Sequence, residues 1–131
     1  MADDRHPTDA ELEILRRLWR RGTATVRELR DDLYPAGGHA HHTTVQSLLA
    51  RLEDKGCVRR EKDGRVNLYS ATVSRGDLVL RRLRDTADAL CDGSLAPLLT
   101  HLVQDVDLEE DEARALESLV ERLDREREAT P

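Results

Sequence analysis

The chain has 131 residues, 38% of them hydrophobic and 37% charged, which suits one domain or a small domain with an appended helical module. With no Phe, one Trp and two Tyr, its core must be built from Leu, Val and Ala, which favours helix packed on helix and argues against a β-sandwich. The net charge of −6 is unevenly spread: residues 1–73 carry 13 basic against 12 acidic residues, a net of +1, and residues 74–131 carry 8 against 15, a net of −7. Overall acidity therefore does not exclude nucleic acid, because the field that matters is the local one over a binding face. No apolar run approaches membrane-spanning length, and MADDRHP lacks the apolar core of a signal peptide. A cytoplasmic chain without membrane insertion is expected, with Cys57 and Cys91 as reduced thiols.

The first predicted element is DAELEILRRLWRRG, preceded by Thr8. A threonine cap with Glu11 three residues on is a capping-box pattern, Leu12, Leu15, Leu18 and Trp19 recur at helical spacing, and Gly22 stops the helix. Thr25, with Glu28 as its box partner, caps a second helix from Val26 to about Leu33, which Pro35 ends. A glycine-rich loop, AGGHAH, follows.

HTTVQSLLARLEDKG is the third helix, starting at His42 or Thr43 and closed by Gly56. Val45, Leu48, Leu49 and Leu52 form the stripe that docks on a core. Thr44, Gln46, Ser47, Ala50, Arg51 and Lys55 are left toward solvent or to the side. Through Ala50 this helix has no acidic residue, whereas a merely solvated face would alternate Glu and Lys. Small hydroxyl, amide and basic side chains on the first turns suit entry into a DNA major groove: Gln46 has the geometry for adenine, Arg51 for guanine or a phosphate, and Thr44 for a thymine methyl. The backbone N–H groups at His42 and Thr43 offer an anion site for a phosphate.

CVRREKDGRVNLYSATV reads as a hairpin around the turn Lys62-Asp63-Gly64-Arg65. Alternation sends Cys57, Arg59 and Glu61 one way and Val58, Arg60 and Lys62 the other. Arg59, Arg60, Lys62 and Arg65 are the hairpin's candidates for phosphate contact. Three short helices and then a hairpin is the order of a winged helix-turn-helix.

Three further helices follow. Ser74 with Asp77 caps one that runs to about Leu90. Asp92-Gly93-Ser94 breaks the chain, Ser94 caps LAPLLTHLV, and Asp107 opens the last helix. The final EREATP is expected to fray. The fold class is thus mostly α: a winged helix over residues 1–73, then a helical module over residues 74–131. That tail carries Leu78, Leu80, Leu83, Leu90, Leu95, Leu98, Leu99, Leu102, Leu116, Leu119, Val120 and Leu123. Three short helices cannot bury all of these alone, and each one left exposed forgoes about 1.5–3 kcal/mol. A second copy related by a two-fold axis supplies the missing surface, and the tail is read as a homodimerisation module.

PTDAELEILRRLW, TATVREL, TTVQSLLARLEDKG, CVRREKDGRVNLYSATVSR and GSLAPLLTHLV together resemble the penicillinase-repressor family of bacterial transcription regulators (the BlaI/MecI/CopY type), from about Pro7 to Val120. The resemblance implies a homodimer that binds a palindromic double-stranded DNA operator and represses the adjacent promoter. It also implies, in the β-lactam-responsive members, a membrane sensor-protease that triggers cleavage within the dimerisation helices. The segment matching that site is LLTHLVQD, with His101-Leu102 standing where those members have Asn-Phe. The cysteine cluster of the copper-responsive members has no counterpart here.

His39, His41 and His42 cluster on the loop, but no ligand quartet has zinc-type spacing, and no metal or cofactor is expected. Cys57 reads as a small buried hydrophobe. No nucleophile–base–acid set or phosphate-cradling glycine motif points to an enzyme. The competing reading is a winged helix that binds protein through its third helix, with the tail as scaffold.

Overall fold

A computed structural model of the chain describes residues 6–37 and 40–129. In chain order the elements are α1 (Asp9–Arg21), α2 (Val26–Leu33), α3 (Ala40–Asp54), β1 (Val58–Asp63), β2 (Val66–Ala71), α4 (Arg75–Leu90), α5 (Ala96–Asp105) and α6 (Glu110–Ala129). They form two compact units, one running through Leu83 and the other starting at Arg84.

In the first unit the caps predicted for three helices are made. The Thr8 hydroxyl accepts the Glu11 N–H at 3.3 Å and the Glu11 carboxylate accepts the Thr8 N–H at 3.1 Å. Thr25 and Glu28 repeat the exchange at 3.1 and 3.0 Å. These side chains satisfy N–H groups that a helix start leaves without partners. Gly22, at φ 86°, closes α1 in a backbone conformation that a side chain would strain. Arg21 then ties α1 to α2, donating to Asp32 at 2.7 and 2.9 Å and to Glu28 at 3.0 Å. The Arg21 hydrogen bond holds the Asp32 carboxyl below its usual range.

One core joins these elements. Ile14, Leu15 and Leu18 of α1 pack with Leu29 of α2 and with Val45, Leu48, Leu49 and Leu52 of α3. The hairpin adds Val58 and Tyr69, and Cys57 lies buried where α3 gives way to β1. β1 and β2 pair antiparallel with Val58 opposite Ala71 and Asp63 opposite Val66. The loop is therefore the two residues Gly64 and Arg65, with Gly64 at φ 65°, so the turn is centred one residue later than predicted and Asp63 belongs to the strand. Ala24 exchanges two main-chain hydrogen bonds with Tyr69, at 3.0 and 2.8 Å, and so pins the hairpin to the α1–α2 connection. Trp19 donates its indole N–H to the Val73 carbonyl at 2.8 Å, fixing the exit from β2. Ser74 and Asp77 cap α4 reciprocally at 2.9 and 3.0 Å, and the Ser74 backbone N–H holds the Asp77 carboxyl below its usual range.

Leu78 corrects the reading of the tail leucines: it is buried in the winged-helix core. The first turns of α4 thus complete the first unit.

In the second unit, Asp92 (φ 51°) and Gly93 (φ 80°) end α4, with the Cys91 and Gly93 N–H groups both donating to the Ala87 carbonyl. Ser94 does not cap α5. Its N–H is drawn into the turn that ends α4, bonding the Cys91 carbonyl at 3.0 Å, and the cap position falls to Leu95 with no side-chain hydrogen bond. The last helix begins at Glu110 rather than near Asp107, because Val106 is extended and the Glu112 carboxylate caps the Glu109 N–H at 3.3 Å. No residue of α5 or α6 is buried. Among the described residues no helix is long and apolar enough to cross a membrane.

Candidate nucleic-acid interface

α3 turns its apolar stripe wholly inward: Val45, Leu49 and Leu52 are fully buried and Leu48 nearly so. The periodicity of the helix then dictates what is left outside. Thr43, Thr44, Gln46, Ser47, Ala50 and Arg51 are all exposed. These six present hydroxyls, an amide, a methyl and a guanidinium, with no carboxylate among them. The helix starts at Ala40, earlier than predicted, and its first turn includes His41, whose ring stacks on Tyr34 with centroids 3.9 Å apart. That contact against the end of α2 lets the helix extend back through the histidines. His42 is half-buried, and its Nδ1 is buried without a hydrogen-bond partner. His39 lies outside the described residues.

On the hairpin, Arg59, Arg60, Lys62 and Arg65 are all exposed. Alternation divides them: Arg59 lies on one face, where its Nε donates to the Ser70 hydroxyl at 3.3 Å, and Arg60 and Lys62 lie on the other. Arg65 sits in the turn. Arg60 shares its face with Tyr69 and reaches Glu53 near the end of α3, Nε to Oε2 3.5 Å. The wing's cations thus run from the base of the hairpin to its turn and are divided between its two faces rather than lying in a single plane.

Lys55 is the residue that sequence reasoning misplaced. Its ammonium turns inward to Glu11, 2.6 Å from Oε2, so it does not belong to the outer face of α3. No local pattern could have revealed this, since the partner is 44 residues away. Burial raises the Cys57 thiol above its ordinary value, opposed by the nearby Arg81 guanidinium. A protonated, buried thiol is a poor nucleophile, which fits a packing role.

In the second unit the predicted tail leucines are divided between exposed and half-buried positions. Leu90, Leu95, Leu99, Leu119 and Leu123 are exposed, as are Leu80 and Leu83 on the earlier part of α4. Leu98, Leu102 and Leu116 are half-buried. His101 is exposed on α5, its Nδ1 2.7 Å from Asp105. Among the described residues no three His, Cys, Asp or Glu side chains converge to hold a metal ion.

Residues 7–122 match the family model of the penicillinase repressor. The chain belongs to the penicillinase repressor family. Among curated relatives of this repressor-family chain is the penicillinase repressor of Bacillus licheniformis, 25% identical over 87% of this chain and 88% of its own length. An uncharacterized 16.5 kDa protein of Latilactobacillus sakei is 28% identical over 86% of this chain and 77% of its own. The methicillin resistance regulatory protein MecI of Staphylococcus aureus (strain N315) is 22% identical over 88% of this chain and 93% of its own. Among solved structures, the DNA-binding domain of the repressor BlaI matches with a TM-score of 0.48 at 28% identity, covering 59% of this chain and 93% of that one.

Proposed function

We propose that this chain is a homodimeric, DNA-binding transcriptional repressor that acts in the cytoplasm on a palindromic operator. One observation carries the reading. The exposed side of α3 through Arg51 is free of carboxylates and is joined by four exposed cations on the adjoining wing.

Inserted in the major groove, Gln46 would pair with adenine, Thr44 would touch a thymine methyl, and Arg51 would take guanine or a phosphate. Thr43 and Ser47 lie beside them, and His42 starts the face. Phosphates flanking the groove would meet Arg59, Arg60, Lys62 and Arg65. If about four cations per subunit neutralise phosphates, log K falls against log[salt] with a slope of roughly −3 to −4 per subunit. Repression follows from occupancy of a promoter that polymerase must reach, and the names of the curated relatives support that outcome.

The case for a dimer rests on the tail. Helices in which no residue is fully buried are unstable in water unless their apolar side chains find a partner. A two-fold pair of tails would present two copies of α3 to two half-sites. Proteolysis within α5, near His101 and Leu102, is the release mode that the family relationship supports, and a membrane sensor-protease is the partner it implies. Cutting there would divide the dimerisation surface and weaken the operator complex.

Titration of the purified chain against sheared genomic DNA in a salt series tests the reading. Tight binding that weakens steeply with salt is expected. Indifference to duplex DNA at low salt would leave α3 as a protein-binding face instead.

A further inference from the structure

Contacts from two helices meet on the short segment ahead of α1. Lys55, the residue after α3 ends, places its Nζ 2.6 Å from Glu11 Oε2, 3.1 Å from Oε1 and 3.0 Å from the His6 carbonyl oxygen. Arg82 on α4 donates from Nη2 to the Pro7 carbonyl at 3.0 Å. Glu11 at the same time accepts the Thr8 N–H that starts α1. Glu11 is fully buried and the Lys55 side chain is 16% exposed.

The Lys55 ammonium is held between the two oxygens of the Glu11 carboxylate and the His6 carbonyl, so its charge is balanced inside the protein. Mostly buried and paired with a carboxylate, it has little charge to offer a phosphate. Nor is stability a sufficient reason for the pair, since desolvation offsets most of the attraction between buried charges and a well-packed apolar pair would serve as well. What charge and directed hydrogen bonds supply is a single geometry.

We propose that Glu11 and Lys55, with Arg82, are positioning residues that set the angle of α3 against α1 and α4. They would hold the groove-facing side chains in register without touching DNA. The proposal rests on the reading of α3 as the helix that enters the groove.

Two probes separate positioning from simple affinity: a duplex selected from a random library by the wild-type protein, and sheared genomic DNA. The double variant Glu11→Gln/Lys55→Met removes both charges and leaves neither unpaired. It is expected to bind genomic DNA with the wild-type salt slope and to lose at least tenfold in affinity for the selected duplex. Arg82→Met is expected to lose several-fold on the selected duplex alone.

A folded double variant that keeps the wild-type preference for the selected duplex overturns the proposal. So does a fall of about one in the salt slope of Lys55→Met on genomic DNA, which would mean that Lys55 grips a phosphate. If the double variant does not fold, Arg82→Met decides, and an unchanged preference overturns it. A wild-type chain that binds neither probe removes the reading of α3 first, and the proposal with it.

Discussion

The Arg60 guanidinium lies 3.5 Å from the Glu53 carboxylate, joining the first strand of the wing to the last turn of α3. Both side chains are partly open to solvent, so the pair is a surface one, worth about 0–1 kcal/mol. Its larger effect is on charge. A carboxylate near the far end of α3 partly offsets one of the wing's cations. Glu53→Gln should leave folding intact while raising affinity for sheared genomic DNA and steepening its salt dependence. Fluorescence anisotropy across a salt series reads both, and unchanged binding would mean that Arg60 does not face the duplex.

Arg51 is exposed and makes no contribution to the core. Replacing it with alanine should leave the circular dichroism spectrum and the oligomeric state as they were. Operator affinity should fall by about 1–3 kcal/mol, the range for one well-placed base contact. A gel-shift titration giving the wild-type constant would remove Arg51 from the interface.

Leu99 is 59% exposed and Leu119 53% exposed in the single chain, so neither is needed for the chain's own packing. The paired change Leu99→Asp/Leu119→Asp should therefore spare the winged helix and abolish association. Light scattering should report the mass of one chain. A persistent dimer would place the interface elsewhere.

The Arg21–Asp32 link carries a pH signature. The hydrogen bond from Arg21 lowers the Asp32 pKa on folding, so it contributes stability that is full above the unfolded-state value of about 3.9 and is lost as pH falls through the lower folded-state value. Asp32→Asn should be less stable than wild type at neutral pH, and the gap should close in acid below about pH 4. Urea melts at several pH values check this, and a gap that stays constant down to the acid limit would contradict the linkage.

What could be read from the sequence was what depends on near neighbours. The boxes of Thr8 with Glu11, Thr25 with Glu28 and Ser74 with Asp77 each close over three residues, and all three are formed. The stripe from Val45 to Leu52 follows from helical period alone, and it fixed which side of α3 faces out. What could not be read depended on distant partners. Lys55 looked like a surface cation because Glu11 is far away in sequence, and Leu78 looked like a tail leucine because the core it joins is drawn from elements all along the preceding chain, from Ile14 to Tyr69. Ser94 had the right residue type for a cap, but its backbone was already committed to the turn before it. The pinning of the hairpin by Ala24 left no trace in composition or spacing.

The most direct test of the central claim is the stoichiometry and salt dependence of binding to one selected duplex, followed by sedimentation and anisotropy on the same sample. Two chains per duplex are expected, with a total slope of roughly −6 to −8 in log K against log[salt]. A single chain that stays monomeric and leaves the duplex unbound in dilute buffer would contradict it.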